Sequence, residues 1–316
     1  MRSTITLLFV LGFLAVSCLI IVTLVSVASN DATLDFLTAV AGVDISKYKI
    51  EKISVLEPGF GIAEQTVTYR LESDGSKMEV VSNFRNGTIV WCKIYRLEGL
   101  PILTVSSADA LDSAKSLLSR YQSVSKAPYL QPIQDSLIAL TELKSMTTEN
   151  GNFKLEVRNE GAYSRFFWTD TVNGIEIPQK QVGLVFYNGT FETFSDHWNC
   201  YTVGNTDVKF DIEDAIQVAK EHAQNHSYNI GDTVVNNFTI LDEYIIAELT
   251  MQDRGNYVVY PWWEIRLPLD KAYLGSITEI RVLMWADTGE VTYVEAIRGG
   301  GVVTSSGDPA NPTFPH

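Results

Sequence analysis

Three times along the chain, two segments of alternating apolar and polar residues are joined by a short glycine-containing turn. Met78 to Phe84 and Ile89 to Tyr95 flank Asn86-Gly87, and Val182 to Tyr187 leads through Asn188-Gly189 into Thr190 to Phe194. Ile277 to Trp285 turns at Asp287-Thr288-Gly289-Glu290 into Val291 to Ile297. Alternation with period two places every second side chain on one face. Asn-Gly supplies the positive φ that a tight hairpin turn requires. Thr66 to Glu72, Phe153 to Val157, Ser164 to Thr171 and Tyr257 to Leu267 read as further strands.

Ahead of each group of strands stands a helix-like segment. Asp211-Ile-Glu-Asp-Ala215-Ile-Gln-Val-Ala219-Lys220 has an N-cap in Asp211 and one face made of Ile212, Ala215, Ile216 and Ala219. From Ser106 to Lys115 the pattern repeats, with Ser106 and Asp109 at capping-box spacing and Ala110, Ala114, Leu117, Leu118 and Tyr121 as the stripe. Asp31 to Ala41 is a shorter version, with Leu34, Phe36, Leu37 and Val40 on its apolar side. These patterns predict an α+β fold of tandem units, each one helix packed on an antiparallel β-sheet, behind an N-terminal transmembrane or signal helix. The expected boundaries are 1–29 for that segment, 30–104, 105–204 and 205–298 for the units, and 299–316 for a flexible tail rich in Gly, Ser and Pro.

Residues 5–28 fix the expected compartment. No charge interrupts them, and at about 1.5 Å per residue they reach about 36 Å, enough for a hydrocarbon core of about 30 Å. Arg2 precedes the stretch and the first Lys after it is Lys47, so the N-terminus is expected in the cytoplasm and residues 30–316 outside. Ser26-Val27-Ala28 also suits signal peptidase, and cleavage there would secrete the chain; the length of the apolar run favours an uncleaved anchor. Cys18 sits in a weak lipoprotein-like context that the following Leu19-Ile20-Ile21 contradicts.

Export agrees with four N-glycosylation sequons, at Asn86, Asn188, Asn225 and Asn237, and with the pair Cys92 and Cys200, which can be read as one disulfide or as two free buried thiols. A net charge of −14 without a Lys/Arg run opposes nucleic-acid binding and polybasic membrane attachment.

Catalytic patterns are sparse. His222 and His226 have one-face zinc spacing, but Ala-Gln-Asn lies between them, no Glu base is present and no third ligand suggests itself. A helix-packed structural His222 is the plainer reading. His197 and Cys200, spaced on or just after a strand, are expected to point apart. Asp242-Glu243, Glu213-Asp214 and Asp287 with Glu290 fit solvated faces, a helix N-terminus and a turn. No catalytic, cofactor or metal residue is therefore assigned, and the chain is not expected to be an enzyme. The aromatic cluster Tyr257, Tyr260, Trp262, Trp263 and its counterpart Phe166, Phe167, Trp168 divide between core and surface. Adjacent residues on a strand face opposite ways, so one of Trp262 and Trp263 must leave the core. With Pro261 beside them, an edge strand is expected, and Tyr260, Trp262 and Trp263 are the candidate partner-binding residues.

Ala215-x-x-x-Ala219, then Trp263-Glu-Ile-Arg-Leu267, then Arg281-Val-Leu-Met-Trp-Ala-Asp287-Thr-Gly289-Glu-Val291 together resemble PepSY-type domains. The resemblance covers about residues 206–297 and, more loosely, 106–200. It implies a cystatin-like module of the kind found in peptidase propeptides and exported proteins, with inhibitory or chaperone-like binding. No peptidase domain follows in this sequence, so such a role is expected to act in trans on a secreted peptidase or another exported protein. A self-associating cell-surface structural protein is the alternative, and an uncharacterised hydrolase the third.

Overall fold

The computed structural model describes residues 32–58, 61–104 and 109–299. The expected membrane segment 5–28, with Cys18, and all of the tail beyond Gly299 lie outside them. No helix among the described residues is long and apolar enough to cross a membrane. The chain divides into two compact units, with the boundary between Thr202 and Val203.

Unit 1 contains a meander of β1 (Lys49–Leu56), β2 (Gln65–Ser73), β3 (Ser76–Arg85) and β4 (Thr88–Glu98). A second meander follows: β5 (Met146–Glu149), β6 (Phe153–Glu160), β7 (Tyr163–Val172), β8 (Ile175–Tyr187) and β9 (Thr190–Asp196). All neighbours pair antiparallel, in the order β1-β2-β3-β4-β9-β8-β7-β6-β5. The β4–β9 ladder, with Trp91 opposite Ser195 and Cys92 opposite Phe194, welds the two meanders together.

This corrects the expectation of tandem helix-on-sheet units. Strand accounts for 50% of the described residues and helix for 21%. The segments expected as separate units at 30–104 and 105–204 share one sheet and one core. The physical reason is that β4 and β9 each have an unpaired edge beside an apolar face. Pairing satisfies the backbone groups of both and makes that face continuous.

One face of this sheet is the core. Val67, Leu71, Val80, Cys92, Ile94, Leu155, Phe166, Trp168, Leu184 and Phe194 are all buried on it. A π-helical turn (Phe36–Ala41), α1 (Ala110–Ser125) and α2 (Leu130–Ile138) contribute to the same core. Helix α1 starts at Asp109, whose carboxylate accepts from Asp112 N at 2.9 Å. Its buried stripe is Ala110, Leu111, Ala114, Leu117, Leu118 and Tyr121. The opposite sheet face is half-buried and carries ion pairs such as Arg70–Glu79 at 2.6 Å. Phe167 lies on that face, over Gly183; a Cβ there would come within 3.1 Å of its ring.

A short strand, β10 (Thr202–Val203), spans the boundary. Unit 2 then runs through α3 (Ile212–Asn225), a hairpin of β11 (Tyr228–Ile230) and β12 (Thr233–Val235), and β13 (Ile246–Asp253), β14 (Val258–Tyr273), β15 (Ile277–Trp285) and β16 (Val291–Arg298). The last four form an antiparallel meander. Asp211 caps α3 by accepting from Asp214 N at 3.0 Å, and Ala215, Ala219 and Ala223 let it lie close to Ile265, Leu267, Ile280, Val282 and Met284.

Phe194 joins sheet and helices of unit 1: its ring centroid lies 4.9 Å from Phe36 and 4.7 Å from Tyr121, and it is fully buried. Phe194→Ala is expected to lower unfolding stability by ~3–5 kcal/mol. Urea denaturation followed by far-UV circular dichroism checks this.

Candidate functional site

The partner-binding residues read from the sequence lie on β14, an interior strand and not an edge. It pairs β13 on one side, with Met251 opposite Pro261, and β15 on the other, from Trp262 opposite Trp285 onward. Pro261 is accommodated because β15 pairing stops one residue short of it, while its carbonyl accepts from Ala286 N at 2.9 Å. Addition of a peptide strand at this point is therefore overturned, since both flanks are already taken.

Trp263 belongs to the core of unit 2. It is buried, and its Nε1 donates to the Phe210 carbonyl at 2.9 Å. Trp262 and Tyr260 point to the opposite face and are half-buried. There they meet residues that come from two turns. The β13–β14 turn brings Arg254, held by a bond from its own N to the Val258 carbonyl at 3.0 Å. The β15–β16 turn brings Asp287, which is 9% exposed.

Arg254 Nη1 donates to Asp287 Oδ2 at 3.0 Å, and its Nη2 donates to Oδ1, a two-pronged ion pair. The same guanidinium lies 4.2 Å from the Tyr260 ring centre and 4.1 Å from that of Trp285. Trp262 extends the row, with its ring 6.5 Å from Trp285. A planar cation between two aromatic faces, fixed in its plane by a fork of hydrogen bonds, has little rotamer freedom left. Its support is equally tight. A Cβ on Gly204 would come within 2.6 Å of the Tyr260 ring, and one on Gly289 within 2.3 Å of the Phe210 ring, so both rings rest where only glycine leaves room.

The sequence singled out Tyr260 and Trp262 but missed Arg254 and Trp285, and read Asp287 as turn chemistry alone. The signal was weak: Arg254 sits in an irregular turn with Gly255, Asn256 and Tyr257 all at positive φ. Only the register of β14 on β15 brings Trp285 alongside.

The remaining candidates are placed as follows. Asn86, Asn188, Asn225 and Asn237 are all exposed, the first two at hairpin turns with φ of 48° each. Cys92 and Cys200 are buried free thiols in the structure. Cys92 faces the core from β4 and accepts from Ser82 Oγ at 3.4 Å, whereas Cys200 lies beyond the end of β9. Burial pushes the Cys92 thiol up to about 12 and the Cys200 thiol up to about 11, so both are protonated near neutrality. His222 is exposed, not helix-packed, and His226 is half-buried near the Phe238 ring; burial lowers its pKa. Among the described residues no group of three or more His, Cys, Asp or Glu is placed to hold a metal ion.

Removing Asp287 strands the Arg254 guanidinium between two rings without its counter-charge. A fully buried pair broken in this way costs ~3–5 kcal/mol. Because 29% of the Arg254 side chain is exposed, Asp287→Ala is expected to cost about 2 kcal/mol. Thermal unfolding followed by tryptophan fluorescence measures it, and Asp287→Asn is expected to recover part of the loss.

No family model matches the chain, and no curated protein matches it. Among solved structures, the C-terminal domain of YpeB from Bacillus megaterium aligns over 85% of this chain and 96% of its own length, at 11% identity and a TM-score of 0.33, values too low for the likeness to fix fold or function.

Proposed function

We propose that this chain is an extracytoplasmic binding protein without catalytic machinery, held outside a membrane by residues 5–28, and that it restrains or chaperones another exported polypeptide in trans. The observation that carries the reading is the rigid row Tyr260–Arg254–Trp285–Trp262, closed by Asp287. Aromatic and arginine side chains are the ones that concentrate binding energy at protein interfaces, and more so when their conformation is fixed before contact. Here that rigidity is present while Trp262 and Tyr260 remain only half-buried. The PepSY-like motifs of residues 206–297 point to the same class of role, and the lack of a Lys/Arg run favours a protein partner over nucleic acid.

The test is capture by the full-length protein from the source organism's envelope and secreted fraction, identified by mass spectrometry, beside the Trp262→Ala variant. Capture of one peptidase or exported client by the wild type, weakened at least ~10-fold in Trp262→Ala but not in Lys77→Ala of unit 1, supports the reading. Recovery of only the protein itself would favour a self-associating surface scaffold and end the idea of restraint in trans.

A further inference from the structure

Asp196 ends β9 and is 6% exposed. Oδ2 accepts from Tyr121 on α1 and from Tyr129, the residue before α2, each at 2.5 Å. Oδ1 accepts from Trp198 N at 3.1 Å. The Tyr129 ring in turn stacks on the Trp198 indole, centroids 5.3 Å apart and planes 3° from parallel. One carboxylate thus ties two helical elements and a loop to the end of a strand. It does so through neutral donors: no ion pair among the described residues includes it.

We propose that Asp196 is an acid-operated latch, which as the ion pins Tyr129 and the Trp198 ring to the end of β9 and on taking a proton releases Tyr129. The reason is charge. Both phenol bonds at Oδ2 are charge-assisted while Asp196 is ionised, and such bonds are about twice as strong as neutral ones. Oδ1, with a single longer bond from Trp198 N at 3.1 Å, is the oxygen open to a proton, and protonation there leaves Oδ2 a neutral carbonyl oxygen that holds both phenols more weakly. Tyr121 is buried, whereas Tyr129 is only half-buried and can give its O–H to water. Tyr129 therefore yields first, and the Trp198 stack loses its anchor.

Burial holds the Asp196 pKa above its ordinary value, against the three hydrogen bonds. Its contribution to stability is thus fully present below the unfolded-state pKa and lost as pH rises through the folded one. Acid consequently protonates Asp196 in the folded molecule, and this group does not itself drive unfolding. Of the neighbours, His197 is pushed down to about 4 by burial and titrates at the acid end of the same window, whereas the Cys200 thiol is pushed up to about 11 and both phenols are raised. Arg85 and Glu64 bear on Cys200 with opposite sign.

Near-ultraviolet circular dichroism and tryptophan fluorescence of the full-length protein, titrated from neutral to acid, test the latch. A one-proton transition is expected above the ordinary Asp value of about 3.9. It should vanish in Asp196→Asn and in Trp198→Phe fluorescence, and keep its midpoint in His197→Gln. Tyr129→Phe has no O–H left to release, so the optical transition should be lost, while the variant's Asp196 carboxyl, followed by carbon-13 NMR, should bind its proton about tenfold more tightly, with a midpoint about one pH unit higher. Should Asp196→Asn fail to fold, the Tyr129→Phe shift alone decides. A wild type with no such transition, a transition that persists in Asp196→Asn, or a carboxyl midpoint unmoved in Tyr129→Phe would overturn the proposal.

Discussion

The pairing of β4 with β9 is the contact on which unit 1 depends. It is short, running only from Trp91 to Lys93 against Ser195 to Thr193, yet it joins residues about a hundred positions apart. Without it, each meander would expose an edge and half of an apolar face. With it, Cys92 and Phe194 become neighbours in one layer, and Phe36, Tyr121 and Phe194 close over them from the helical side. The helices do not each serve a separate sheet in this unit. They roof a single one, so the core stays continuous from Val67 to Phe153.

Local chemistry was legible wherever a few adjacent residues decide the outcome. The Asn86-Gly87 and Asn188-Gly189 turns adopt the positive φ that their composition favours, and Asp211 caps α3 as its spacing requires. The alternation along β14 placed Trp262 and Trp263 on opposite faces. Harder cases lacked a local signal. Helix α2 carries Pro132 inside its first turn, where the missing N–H has no intrahelical partner to lose, so a residue that reads as a breaker is tolerated there. The cap of α1 is Asp109, which is itself half of the capping-box pair expected from Ser106.

What failed was long-range register. Pro261 suggested an edge because a proline removes one ladder bond, but the chain meets that cost by ending the β15 ladder at Trp262 and letting Ala286 N bond to the proline carbonyl. The fusion of two meanders has the same character. Nothing within β4 says that its free edge will find β9, because the information lies in the match of two faces and not in either strand. For the same reason Arg254 escaped notice: its partners Tyr260, Trp285 and Asp287 are brought to it by three different elements.

The buried carboxylates Asp287 and Asp196 are stabilised by opposite means, and this sets what each can do. Asp287 faces a guanidinium that is itself locked between rings, so its charge is matched and the cluster is rigid. Asp196 has only O–H and N–H dipoles around it, an arrangement that supports the ion while leaving the neutral acid accessible. A paired charge suits a surface that must present Trp262 and Tyr260 in one fixed geometry. An unpaired one suits a joint between helix and sheet, because a single proton removes the charge that strengthens the bonds holding the joint.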